Sequence, residues 1–107
     1  MKYRVRMSPA VLEALQRQVA FLREQGAALT RVDAWLDDLL AAVDTLEQMP
    51  WRYPVAEAMS QAFGGQVHRL LRGDYVLLFR VDDATATVEL LAFRHGRQAP
   101  PGDIRES

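Results

Sequence analysis

The chain has 107 residues, half of them apolar, with 13 basic and 14 acidic side chains for a formal charge of −1. That length and apolar fraction suit one domain with a single core, and the near-zero charge excludes a polycation that coats nucleic acid indiscriminately. No cysteine is present, which excludes a disulfide framework, a thiolate nucleophile and a zinc site built on thiolates.

At the N-terminus, Tyr3, Val5 and Met7 alternate with Lys2, Arg4 and Arg6, a period of two that predicts a strand with one wet face. Ser8-Pro9 ends it and opens a helix, serine serving as N-cap and proline occupying a first-turn position whose N–H would be unpaired anyway. Val11, Leu12, Leu15, Val19 and Leu22 then recur at spacings of three and four up to Gly26, which marks an amphipathic helix.

Thr30, with Asp33 three residues on, is close to a capping box and predicts the start of a second helix. Its apolar positions run through Val32, Leu36, Leu39, Leu40, Val43 and Leu46, and Met49-Pro50 stops it, because the residue before proline is pushed out of helical dihedrals. A link of about four residues between the two helices permits only an antiparallel hairpin. From Trp51 to Phe63 no period is sustained, and Pro54 and Gly64-Gly65 punctuate a loop with room for a short helical turn over 55–60.

Three strands follow, over 66–72, 74–81 and 87–93, with reversals at Gly73-Asp74 and Asp82-Asp83-Ala84. Together they predict a meander. Tyr75, Leu77, Phe79 and Val81 share one face of the middle strand, while Val76, Leu78 and Arg80 share the other. The segment after Arg97, with Pro100-Pro101-Gly102, predicts an irregular tail over 98–107. The expected fold class is α+β with order β-α-α-β-β-β, an antiparallel sheet packed on one face by an α-helical hairpin.

Charge is unevenly distributed along this order. Residues 9–48 carry three arginines against seven acids, 3 − 7 = −4; residues 2–7 and 66–98 carry eight basic against four acidic side chains, 8 − 4 = +4. The helical hairpin is acidic and the sheet basic. No apolar run reaches the ~18–20 residues of a membrane span, nor does a signal-peptide core follow the N-terminus. A cytoplasmic protein without a membrane partner is therefore expected.

The run Val67-His68-Arg69-Leu70-Leu71-Arg72-Gly73-Asp74-Tyr75-Val76-Leu77-Leu78-Phe79-Arg80-Val81, the segment Phe93-Arg94-His95-Gly96-Arg97, Ser8-Pro9 opening the first helix, and Leu46 with Met49-Pro50 closing the second all stand in this order. Over roughly residues 3–97 the chain resembles the RelE/ParE superfamily of bacterial toxins, the toxic halves of type II toxin–antitoxin pairs. The resemblance implies a cognate antitoxin as partner and no cofactor, metal or small-molecule substrate. RelE-like members are ribosome-dependent endoribonucleases acting on messenger RNA; ParE-like members poison DNA gyrase.

The nuclease branch supplies its chemistry with lysines, arginines and a C-terminal tyrosine or histidine. Here lysine occurs only at position 2, the middle-strand position usually filled by arginine is Val76, and no tyrosine follows Tyr75. These departures favour the ParE-like reading, a non-catalytic gyrase inhibitor. The target-binding residues expected are Arg69, Arg72, Arg94, His95 and Arg97. In the alternative, a ribosome-dependent endoribonuclease acting on mRNA, His95, Arg69 and Arg94 are the catalytic candidates; a third reading is an inactive member kept as an interaction module.

Other features have plainer explanations. Arg80 beside Asp82 is expected to play a structural role, Trp51-Arg52-Tyr53 to pack a loop against the sheet rather than stack bases, and the acids of the second helix to form its wet face. His68 and His95 do not make a metal site, which needs three or four convergent ligands.

Overall fold

The computed structural model describes residues 2–95. Its elements are β1 (Arg4–Met7), α1 (Pro9–Glu24), α2 (Leu29–Asp44), α3 (Glu57–Phe63), β2 (His68–Arg72), β3 (Tyr75–Asp82) and β4 (Thr87–His95), with 3-10 turns at Thr45–Glu47 and Pro50–Arg52. This is an α+β fold. The expected tail over 98–107 lies outside the described residues.

α1 starts where the sequence places it: Ser8 is extended and its hydroxyl accepts from the Val11 N–H at 3.3 Å. α2 does not. Ala28, rather than Thr30, is the extended residue before the helix, and it contributes no side-chain cap. The chain leaves α1 through Gly26 at φ +84, a left-handed conformation that glycine adopts cheaply. That early reversal delivers the chain to α2 one residue ahead of the threonine.

The sheet has four strands in the order β1-β4-β3-β2. β2, β3 and β4 form the expected antiparallel meander. β1, however, pairs parallel to β4, Val5 opposite Val88 and Met7 opposite Leu90, so the sheet is mixed rather than antiparallel. The helical hairpin and α3 carry the chain from β1 across to β2 at the opposite edge, and the meander then returns it beside β1 as β4, a long connection of the kind parallel neighbours require. At the β2–β3 reversal Gly73 takes φ +60, the backbone a two-residue hairpin turn demands of its glycine.

The hairpin α1–α2 covers one sheet face. Val11 and Leu15 of α1, Leu39, Ala42 and Val43 of α2, and Leu46 beyond it bury against Leu70, Leu77, Phe79, Val88, Leu90 and Phe93. Leu12 and Leu40 fall outside the core, at 47% and 38% exposure. Each lies about a quarter-turn from a buried neighbour, and a helix resting on a single sheet buries only a narrow stripe. The loop that follows the hairpin does contain a helix, α3, extending to Phe63 and past the short turn expected. Ala56, Val67, Val76 and Leu78 form a second, smaller cluster on the opposite sheet face, with Met59 of α3 packed against it.

Register near the centre is broken once. Leu78 pairs with Ala92 and Phe79 with Leu90, leaving Leu91 as an extra residue on β4. A bulge of this kind bends the strand and increases its twist.

Candidate target-binding face

Strand parity divides the charged side chains between the two faces of the sheet. On the face away from the hairpin, β1 places Arg4 and Arg6, β2 places Arg69 and Leu71, β3 places Val76, Leu78, Arg80 and Asp82, and β4 places Thr87, Glu89, Ala92 and Arg94. Five arginines face two acids there, 5 − 2 = +3. The acidic exterior of the hairpin lies on the other side of the sheet from these five arginines.

Arg69 and Arg94 share this face, on the two strands that flank β3. Arg69 stands opposite Leu78 on β2, and Arg94 opposite Val76 on β4, diagonal positions about 6.6 Å apart along β3. Both arginines are only half-buried while Val76 and Leu78 are buried. Long aliphatic stems are suited to lie over such apolar floor and carry their charge to the rim. The Nε of Arg69 is buried and has no hydrogen-bond partner among the described residues.

Arg72 does not join them. It stands opposite Tyr75, on the hairpin side of β2, where its Nε and Nη2 donate to the two Asp38 oxygens at 2.9 and 2.6 Å. The pair holds the Asp38 carboxyl below its ordinary range, chiefly through that hydrogen bond, and raises the guanidinium for the same reason. Arg72 thus clasps the end of the sheet to α2, a planar fork meeting a carboxylate. His95 closes β4 in register with Tyr75; its side chain, and the whole of Arg97, lie outside the described residues.

Arg80 has a structural partner, but it is Glu89 across the strand at 3.3 Å rather than Asp82. Asp82 instead turns its Oδ1 to the N–H groups of Ala84 and Thr85 at 3.0 and 3.4 Å, bracing the β3–β4 turn as short acidic side chains do. Sequence reasoning missed Arg4 and Arg6. Their alternation with Val5 and Met7 marked them as wet, but only the parallel docking of β1 on β4 sets them on the same face as Arg69 and Arg94.

The loop aromatics pack as expected. Trp51 meets Tyr3 edge-on, with centroids 6.2 Å apart. Its Nε1 donates to the Tyr3 hydroxyl at 3.0 Å, and that hydroxyl donates to Asp83 at 2.5 Å. The Asp83 bond, followed by burial, raises the Tyr3 phenol above its ordinary value. His68 is buried, stacked on Phe79 with centroids 5.5 Å apart, its Nδ1–H donating to the Tyr53 carbonyl at 2.8 Å. It is a core histidine.

Among the described residues no group of three or more histidines, cysteines or acids is placed to hold a metal ion. No helix among them is long and apolar enough to cross a membrane.

Two solved structures are similar in fold. One is the toxin–antitoxin complex RelBE2 from Mycobacterium tuberculosis, with TM-score 0.58 and 23% identity over 89% of this chain and 99% of that one. The other is the archaeal RelE–RelB complex from Pyrococcus horikoshii, with TM-score 0.50 and 20% identity over 92% and 100%. No curated protein matches the chain in sequence. A family model described as the ParE toxin of the type II toxin–antitoxin system, parDE, matches residues 5–100, nearly the whole strand–hairpin–meander unit. With that match over this fold, the chain belongs to the ParE toxin family, within the RelE/ParE superfamily of type II toxins.

Proposed function

We propose that this toxin acts by binding DNA gyrase and blocking its cycle, and that a cognate antitoxin neutralises it by folding onto the same molecule. The observation that carries the reading is the chemistry of the open sheet face. Attack of a ribose 2′-hydroxyl on its phosphate needs one group to take a proton and another to return it. Tyr3, His68 and Tyr75 all sit on the hairpin side or within the core, and the sole lysine, Lys2, pairs with Glu47 at 3.6 Å. The open face itself offers, among the described side chains, arginines, aliphatics and Thr87. Its two carboxylates are engaged, Glu89 by Arg80 and Asp82 by backbone N–H groups.

Such a surface suits recognition better than proton transfer, and the parDE family match points the same way. An antitoxin is in keeping with the complexes formed by the two structural neighbours. Its chemistry would complement the basic sheet face and the acidic hairpin of this molecule, and a disordered segment that folds on binding is well fitted to wrap them.

The test is direct. Purified toxin is incubated with gyrase, ATP and relaxed plasmid, then separately with translating ribosomes and a reporter message. Lost supercoiling or trapped cleaved plasmid, with the message intact, is the expected outcome. Unimpaired gyrase together with cuts at the ribosomal decoding site would replace this reading with the endoribonuclease one.

A further inference from the structure

The half of the open face built by β1, β4 and the far end of β3 has a composition of its own. It forms a depression of about 620 Å³ whose lining includes Arg4, Arg6 and Arg80, with Thr85 and Thr87 and a single apolar residue, Val81. From this arrangement we infer that the depression is a phosphate-backbone site, and that its ligand is duplex DNA. The inference goes beyond the gyrase reading, since a toxin can grip gyrase with or without touching DNA.

Three acids also line the depression, and each has an internal partner. Glu89 pairs with Arg80 at 3.3 Å. Asp83 accepts from the Tyr3 hydroxyl at 2.5 Å and from Trp51 Nε1 at 3.4 Å. Asp82 caps the turn through the Ala84 and Thr85 N–H groups. Arg4 and Arg6, by contrast, are exposed and make no ion pair among the described residues, even though Arg6 stands opposite Glu89 in register. Arg4 and Arg6 are therefore left available while Arg80 is held by Glu89; the lining itself balances at 3 − 3 = 0, and the positive excess of the face comes from Arg69 and Arg94 beyond it.

The partner's class follows from what the depression lacks. A protein partner is held by apolar or aromatic anchors in a desolvated centre, and Val81 alone does not make one. Single-stranded nucleic acid is held by stacking on aromatic faces, yet no aromatic side chain lines the depression. What remains is the chemistry of phosphate contacts: the exposed guanidiniums of Arg4 and Arg6, which can position a backbone without reading its bases, since the Thr85 and Thr87 hydroxyls already donate to the Thr87 hydroxyl and the Thr85 carbonyl. Arg4 and Arg6 lie about 6.6 Å apart along β1, and the four strands spread the arginines of this face over about 14 Å, a breadth suited to a duplex rather than to one phosphate group. The acidic hairpin opposite orients the molecule, so that a polyanion is drawn to one side and repelled from the other.

The experiment uses the full chain and a short fluorescein-labelled DNA duplex, followed by anisotropy as salt rises from about 50 to about 200 mM. Wild-type toxin should bind with an affinity that falls linearly on logarithmic axes. Arg4→Gln and Arg6→Gln should each reduce the slope by about 1. Arg17→Gln, on the outer surface of α1, should leave it unchanged, and circular dichroism confirms that all three are folded. Absence of duplex binding, equal losses in all three variants, or preference for a poly-glutamate peptide or single-stranded RNA over the duplex would each overturn the inference. A toxin that inhibits gyrase but ignores DNA loses this site and keeps its proposed function; one that binds DNA but spares gyrase does the reverse.

Discussion

The assignment of every arginine to a face depends on the register of β2, and two adjacent leucines test it. Leu70 pairs with Leu77 and is 3% exposed beneath the hairpin, whereas Leu71 pairs with Val76 and is 63% exposed on the open face. A one-residue slip would exchange them and carry Arg69 to the wrong side. Leu70→Ala removes side-chain burial and leaves a cavity against Leu77 and α2. Core Leu→Ala changes cost about 2–5 kcal/mol, and an edge strand that can partly collapse belongs toward the lower half, about 3 kcal/mol. In a domain of this size that lowers the melting midpoint by roughly 12–24 °C. Leu71→Ala should stay within about 0.5 kcal/mol. Urea unfolding followed by circular dichroism reads both, with an unchanged m-value showing that the states compared are the same. Equal losses, or a larger one at Leu71, would refute the register and with it the arginine face.

Three further outcomes follow from individual contacts. Asp38 has a folded-state pKa below its ordinary value because of Arg72, so the stabilisation it contributes is present above the ordinary carboxylate range and is lost as pH falls through the lowered value. Arg72→Gln should therefore flatten the acid limb of a urea-midpoint profile while changing it little in shape near neutrality. Tyr3 and Tyr75 both have raised phenol values, the first chiefly through its bond to Asp83 and the second chiefly through burial. Their stabilisation is present below the ordinary tyrosine value and disappears as pH rises through the raised one; in an ultraviolet titration Tyr3→Phe should remove one late step. Met49 sits at φ +47 just before Pro50, more than half exposed, so Met49→Gly should relieve backbone strain and raise stability by about 0.5–1 kcal/mol in urea unfolding.

The strands and helices were legible because their signals are local. Alternation in β1 and β3, the Ser8-Pro9 start of α1 and the Gly73 reversal each report their own few residues, and each is found where the residues imply. The start of α2 was misread because Thr30 has the right chemistry for a cap, while the preceding glycine turn decides where the helix begins. The direction of β1 was not legible at all. A four-residue strand reads the same whichever way it pairs, and only the space left beside β4 by the hairpin makes it parallel. The candidate face carries the same gap: Arg69 and Arg94 are legible in the sequence as strand-end cations, whereas only the pairing of β1 sets Arg4 and Arg6 on their face, and nothing local reveals that Asp38 of α2 reaches Arg72. Arg80 was read correctly as structural and given the wrong acid, since a sequence neighbour on the same face is less accessible than the residue directly across the strand.

The arginines of the open face consequently differ in kind. Arg69 and Arg94 are half-buried on the strands flanking Val76 and Leu78 of the small second core, and the Nε of each is buried. Truncating either one removes packing as well as charge. Arg4 and Arg6 stand exposed on an edge strand, where a change of charge has little to disturb in the fold. A face assembled this way couples charge to stability at one end and leaves them separable at the other. Charge at β1 can therefore be changed without cost to the core, while a change at Arg69 or Arg94 also meets the apolar floor beside it.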